Sequence, residues 1–300
     1  MLGAARAIKS ADLLLMLIAE VNAHPDELTR AVAESESLVI SRSRARSRAA
    51  RDVVLRTQAS PHGTPFAFKG LERHLEASEI TGTRVAHFGP ASSDTLIPIF
   101  RDQVATLTVR EPAGYLVPQE WSTVREHLDL HAVRYRRLEK SWSDTVEVPH
   151  VLAWSESTST FEGHHLTLVR SVALERRFRA FRPGDLWVPL DQRAALVAMH
   201  LLEAQAPDGL ALWNAFDTVL ERHEYAEDYI MEPIAQRMLG GSPALAAEFH
   251  ARLAADTAFA MSPGARLDFF YMRSPWFDRE YALLPVSRAL RTPPEDVLAP

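Results

Sequence analysis

The chain has 300 residues, of which 47% are hydrophobic and 24% charged, the balance of an ordinary soluble globular protein. A formal charge of −6 argues against a dedicated nucleic-acid surface, and the absence of cysteine excludes disulfides, thiolate metal sites and cysteine nucleophiles. The longest early apolar run, residues 13–19, is seven residues long, against roughly 20 needed to cross a bilayer. Asp12 and Glu20 border it, where the core of a signal peptide is uncharged, so neither a membrane span nor a signal is expected.

Residues 5–22 place Ile8, Leu14, Leu17, Ile18 and Val21 close to a helical repeat. The sequence His24-Pro25-Asp26-Glu27 then restarts a helix, with proline in the first turn and two acids near the positive end of its dipole. Arg42, Arg44, Arg46, Arg48 and Arg51, interleaved with Ser41, Ser43 and Ser47, read as a solvated helix end or linker.

From Val53 to Leu190 the pattern turns β-like, with short apolar runs broken by proline and glycine. The clearest alternation sets Leu166, Leu168, Arg170, Val172 and Leu174 on one face of a strand. One helix interrupts, opened by Pro118-Gln119-Glu120-Trp121, with Trp121, Val124, Leu128 and His131 on one side.

After Asp191 the chain reads as helical almost to its end. Asp191 is placed to cap a helix over residues 194–202 that is apolar all round. Asp208 is placed to cap the next, whose Leu212, Trp213, Phe216, Val219 and Leu220 share a buried face. The pairs Ser242-Pro243, Ser262-Pro263 and Ser274-Pro275 each supply a serine cap followed by proline at the first helical position. The expected fold is therefore α+β. It comprises a helical N-terminal stub with an Arg-Ser linker (residues 1–50), a β-rich domain with one helix (51–190), and an all-helical C-terminal region packed on it (191–300).

The candidates for metal chemistry are few. His24 and Glu27 fit a His-x-x-Glu pattern, as do His200 and Glu203, but a catalytic pair must sit after a strand so that both side chains aim at one ion. His127 and His131 stand four apart on one expected helix, and His223 with Glu227 has the same spacing. No third ligand is evident for any pair, and a working site needs three or four. The adjacent His164-His165 reads as a turn. No Gly-x-Ser-x-Gly elbow and no phosphate-binding glycine loop is present.

One further stretch stands out. Val188-Pro189-Leu190-Asp191-Gln192 is followed by the run ending Leu201-Leu202-Glu203. Asp208-x-Leu210-x-x-Trp213-Asn214-x-Phe216-Asp217 comes next. Together with residues 224–229, 269–275 and 284–286, this resembles the C-terminal region of bacterial zinc carboxypeptidases (carboxypeptidase A-like metallopeptidases). The resemblance implies a zinc-dependent exopeptidase family, with the opening helices similar in kind to the last helices of a catalytic domain. Zinc belongs to the family. The family's zinc ligands, base glutamate and substrate-binding arginine have no matching positions here, so no cofactor is expected in this chain. The resulting expectation is a truncated, noncatalytic accessory region that supports a peptidase domain or binds peptide. Its expected partners are that peptidase domain, or a second copy through residues 1–40, with neither nucleic acid nor membrane involved. The alternative is a metallohydrolase in its own right with an unrecognised His/Glu site.

Overall fold

The computed structural model describes residues 2–44, 51–223 and 225–299. Arg46, Ser47 and Arg48 of the Arg-Ser stretch and Glu224 of the 224–229 segment lie outside the described residues. The chain divides into two compact units, residues 45–111 and the remainder.

The larger unit opens with helices α1 (Leu2–Ala23) and α2 (Pro25–Arg44). The break between them falls at His24, one residue before the proline that the sequence marks as a helix start. Glu36 of α2 pairs with Arg193 at 2.6 Å. Leu13 through Ile18 are each more than half exposed on α1.

The smaller unit is built from two antiparallel pairs. Strands β1 (Asp52–Ala59) and β4 (Gln103–Arg110) pair with register irregularities around Arg56. Strands β2 (Thr64–Ala77) and β3 (Arg84–Ile99) form a long hairpin that is mostly exposed. Val53 and Leu55 alternate inward on β1.

The larger unit resumes with β5 (Gly114–Val117), α3 (Ser122–Leu130), β6 (Arg136–Arg137), β7 (Trp142–Glu156), β8 (Thr167–Phe181) and β9 (Leu186–Pro189). Helix α4 (Ala195–Leu202) follows. Then come α5 (Asp228–Gly241), α6 (Pro243–Ala255), α7 (Thr257–Met261) and α8 (Pro263–Tyr271), and finally strand β10 (Ser287–Ala289). The six-stranded sheet runs β6-β9-β5-β10-β7-β8 with antiparallel neighbours throughout. Leu116, Trp142, Val146, Val148, Phe181 and Trp187 form its core with Leu283, Ala289 and Leu298 from the chain's end.

This architecture is α+β, but the expectation of an all-helical C-terminal region is wrong. Residues 287–289 return to the sheet and insert between β5 and β7, with Arg288 opposite Tyr115 on one side and Glu147 on the other. Three residues with a charge in the middle carry no readable strand alternation, which is why the sequence hides this element. The helix expected from Asp208 is also absent. Residues 203–223 run as turns with one 3-10 turn at Asp217–Val219, and Asn214 sits at φ 68°. The Asp208 carboxylate instead accepts the Trp213 indole N–H at 2.7 Å. Helix α4 forms where expected but is not buried all round, since Leu196 and Val197 face out.

Two of the three serine–proline signals do start helices. Ser242 accepts from the Leu245 amide and Ser262 from the Ala265 amide, each followed by its proline. Ser274-Pro275 makes only a turn, with the Ser274 hydroxyl accepting from the Trp276 amide at 3.3 Å. Helices α5 to α8 close on their own core of Met231, Ala235, Phe249, Phe259, Phe269 and Phe270. The Arg273 guanidinium sits 3.8 Å from the centre of the Phe269 ring, a cation–π contact at the end of α8.

Candidate functional site

The sequence-derived candidates do not converge. His24 lies between α1 and α2 with Glu20 at 3.5 Å and Glu27 at 3.8 Å, all three more than half exposed. This is the ion-pair pattern of a helix surface. His127 donates from Nδ1 to the Thr123 carbonyl one turn back at 2.8 Å, and His131 stands exposed at the end of α3. Nε2 of His223 meets the Thr218 carbonyl. The neighbouring His164 pairs with Asn214, while His165 reaches the Ser157 carbonyl. Among the described residues no group of three His, Cys, Asp or Glu is arranged to hold a metal ion. The donor set among the described residues therefore does not fit the zinc that the resemblance implies.

The residues that carry the resemblance serve packing. Gln192 is buried, accepts from the Arg134 amide at 2.7 Å and donates to the carbonyls of Arg134 and Pro189. Asn214 donates to His165, Thr167 and Asp217, and Thr167 in turn donates to Asp217 at 2.8 Å. Asp185 accepts the amides of Gln119 and Arg182. These short side chains satisfy backbone groups that no sheet or helix pairs, which is the requirement for irregular chain to be buried.

Glu203 belongs to a buried polar cluster that the His-x-x-Glu pattern misreads. Its carboxylate accepts the Tyr115 hydroxyl at 2.6 Å and pairs with the Arg288 guanidinium, which also reaches Glu147 at 3.3 Å. Burial pushes the Glu203 carboxyl up, outweighing the attraction of Arg288 and the Tyr115 hydrogen bond. The cluster ties the end of α4 to β5 and β10 across the sheet. His200, its partner in the sequence pattern, is not among these contacts.

A second polar group lies at a cavity of about 760 Å³ between β8 and residues 277–281, where no sequence motif marks it. Glu175, Arg177 and Arg179 share one face of β8 by strand alternation, and His150 on β7 joins them. His150 Nδ1 donates to the Glu175 carboxylate at 2.6 Å, which orients the ring and leaves Nε2 as its other polar atom. Hydrogen bonds from Arg177 first, and then from His150, hold the Glu175 carboxyl below its ordinary value. Glu280 bridges the outer ends of Arg177 and Arg179. Burial raises the Tyr281 phenol, which packs edge-on against Phe277 at 5.5 Å and Trp154 at 6.4 Å. A histidine oriented by a carboxylate beside paired arginines can accept or donate a proton and can bind an oxyanion.

Known proteins supply one relation. Carboxypeptidase 2 of Trichophyton rubrum is 30% identical over 105 residues, 35% of this chain and 19% of that protein. The probable carboxypeptidase 2 of Arthroderma benhamiae is 29% identical over 104 residues, again 35% of this chain and 20% of the relative. The relation is carboxypeptidase-like and distant, and these relatives are fungal rather than bacterial. The chain spans about a fifth of the length of these curated relatives. No family model matches the chain, and no solved structure matches it significantly. No helix among the described residues is long and apolar enough to cross a membrane.

Proposed function

We propose that this chain is a noncatalytic accessory region of a carboxypeptidase-like protein, and that α1 is the element by which it docks on a peptidase domain. The observation that carries the reading is the state of α1. Six consecutive apolar side chains, Leu13 through Ile18, stand more than half exposed within the larger unit. Consecutive positions circle a helix, so this stretch requires cover on more than one side. The relation to carboxypeptidases supplies the kind of partner, since the similarity spans only a fraction of those proteins. The packing roles of Gln192, Asn214 and Asp217 support the same reading, because the motif residues hold a scaffold together and converge on no reacting centre.

The test is elemental analysis and peptidase assay of the purified chain. The expected outcome is no stoichiometric zinc after dialysis and no release of C-terminal residues from peptides. One zinc per chain that is lost, together with activity, on His24→Ala or His127→Ala would overturn the reading and identify a ligand.

A further inference from the structure

We propose that Arg179, which lines the cavity between β8 and residues 277–281, binds an oxyanion, a carboxylate or phosphate group on a small molecule, in exchange for its partner Glu280. The Arg179 fork is half filled. A guanidinium presents Nε and Nη2 side by side, and a carboxylate or phosphate meets both at once. Glu280 Oε2 takes only Nη2 of Arg179, because its other oxygen is drawn to Arg177 Nη1 at 3.2 Å. Among the described residues, Arg179 Nε is left buried with no hydrogen-bond partner.

An orphaned guanidinium donor in a buried position is costly, and it persists where something else completes it. Arg177 is not in the same condition. Its Nε and Nη2 are both committed to Glu175 Oε2, at 3.0 and 2.9 Å. The unpaired Nε therefore distinguishes Arg179 from Arg177.

The surroundings fit a ligand larger than a bare ion. The cavity has room for a molecule with an apolar part, and Phe277 and Tyr281 line it beside Arg279. Glu280 is easy to displace, since its side chain is 59% exposed and lies on the segment that closes the cavity. Swung into water, it leaves Arg177, Arg179 and Arg279 lining the cavity with Asp278, and Glu175 held on Arg177, three cations against two anions. That excess of one positive charge matches one oxyanion. His150 Nε2 adds a further polar group at the rim.

The experiment is calorimetric titration of the full chain with benzoate and, separately, with inorganic phosphate. Glu280→Gln removes the resident carboxylate, and at least one of the two anions is expected to bind about tenfold tighter than to wild type. The tighter one identifies the source as carboxylate or phosphate. Adding Arg179→Lys, which keeps the charge and removes the fork, is expected to abolish the gain. A direct readout needs no variant: at saturating anion the Arg179 Nε–H resonance of the wild-type protein should move. Equal binding by wild type and Glu280→Gln, retention of the gain in the Arg179→Lys double variant, or an unmoved Nε–H resonance would each overturn the proposal. Unchanged thermal midpoints establish that the variants remain folded.

Discussion

Glu203 and Glu175 are both paired with arginine, yet their surroundings push their carboxyls in opposite directions. Glu203 is enclosed, so desolvation dominates and its carboxyl is raised. Glu175 is partly exposed, so the hydrogen bonds from Arg177 and His150 dominate and its carboxyl is lowered. The consequences for stability have opposite signs. The contribution of Glu203 is complete below the ordinary carboxylate value and is lost as pH rises through its folded value. That of Glu175 is complete above the ordinary value and is lost as pH falls through its folded value. Glu175→Gln is therefore expected to flatten the acid side of a plot of thermal midpoint against pH, leaving the neutral side parallel to wild type. Removing Glu203 acts differently, because it takes one carboxylate from Arg288, which is 2% exposed and also paired with Glu147. Glu203→Ala should cost about 3–5 kcal/mol in urea unfolding, the penalty for breaking a buried ion pair. A loss below about 1 kcal/mol would mean that Glu147 alone satisfies the guanidinium.

Short elements and tertiary bonds explain what the sequence showed and what it concealed. The helix starts at Pro25, Pro243 and Pro263 were legible because capping and proline placement are local chemistry. The buried side of α3, with Val124 and Leu128, was legible from spacing alone. Strand β10 was not, since its place is fixed by β5 and β7 and its central residue is a buried arginine. Nor was the Asp208 segment, where Asn214 holds its turn through bonds to residues 165 and 167, nearly 50 positions away. The cavity residues were invisible for the same reason, because His150, Glu175 and Glu280 meet only through the sheet. The irregular segment yields a test: Phe216 is 2% exposed and packs edge-on against Trp121, whereas Trp213 is only half buried. Phe216→Ala should cost about 3–5 kcal/mol, and Trp213→Ala distinctly less, in matched denaturation curves. The reverse order would restore the buried helical face that the sequence suggested. Strand β5 offers a second test. A Cβ on Gly114 would lie 2.3 Å from the Trp187 ring and 2.6 Å from the Val188 carbonyl. Gly114→Ala is therefore expected to destabilise by about 1–3 kcal/mol, through overpacking that the paired backbone of β9 cannot relieve.

On the scale of the whole molecule, the larger unit packs one core in the sheet and another among α5 to α8, and among the described residues α1 contributes to neither. Taking one large apolar side chain from full exposure to full burial is worth about 1.5–3 kcal/mol. The run from Leu13 to Ile18 is already partly covered, so full cover would add on the order of 5–11 kcal/mol for the six side chains. Association costs an estimated 4–15 kcal/mol in lost freedom. The two quantities are comparable, so α1 alone should drive weak, concentration-dependent self-association when no peptidase domain is present, and not a tight dimer. Sedimentation velocity over a range of concentrations measures this directly. Leu14→Glu with Ile18→Glu, one turn apart on α1, should return the chain to a monomer without lowering the unfolding midpoint of the sheet. A wild-type chain that stays monomeric at every concentration, with slowly exchanging amides throughout residues 10–20, would show that α1 is stable without a partner. That result would remove the docking role from the accessory reading.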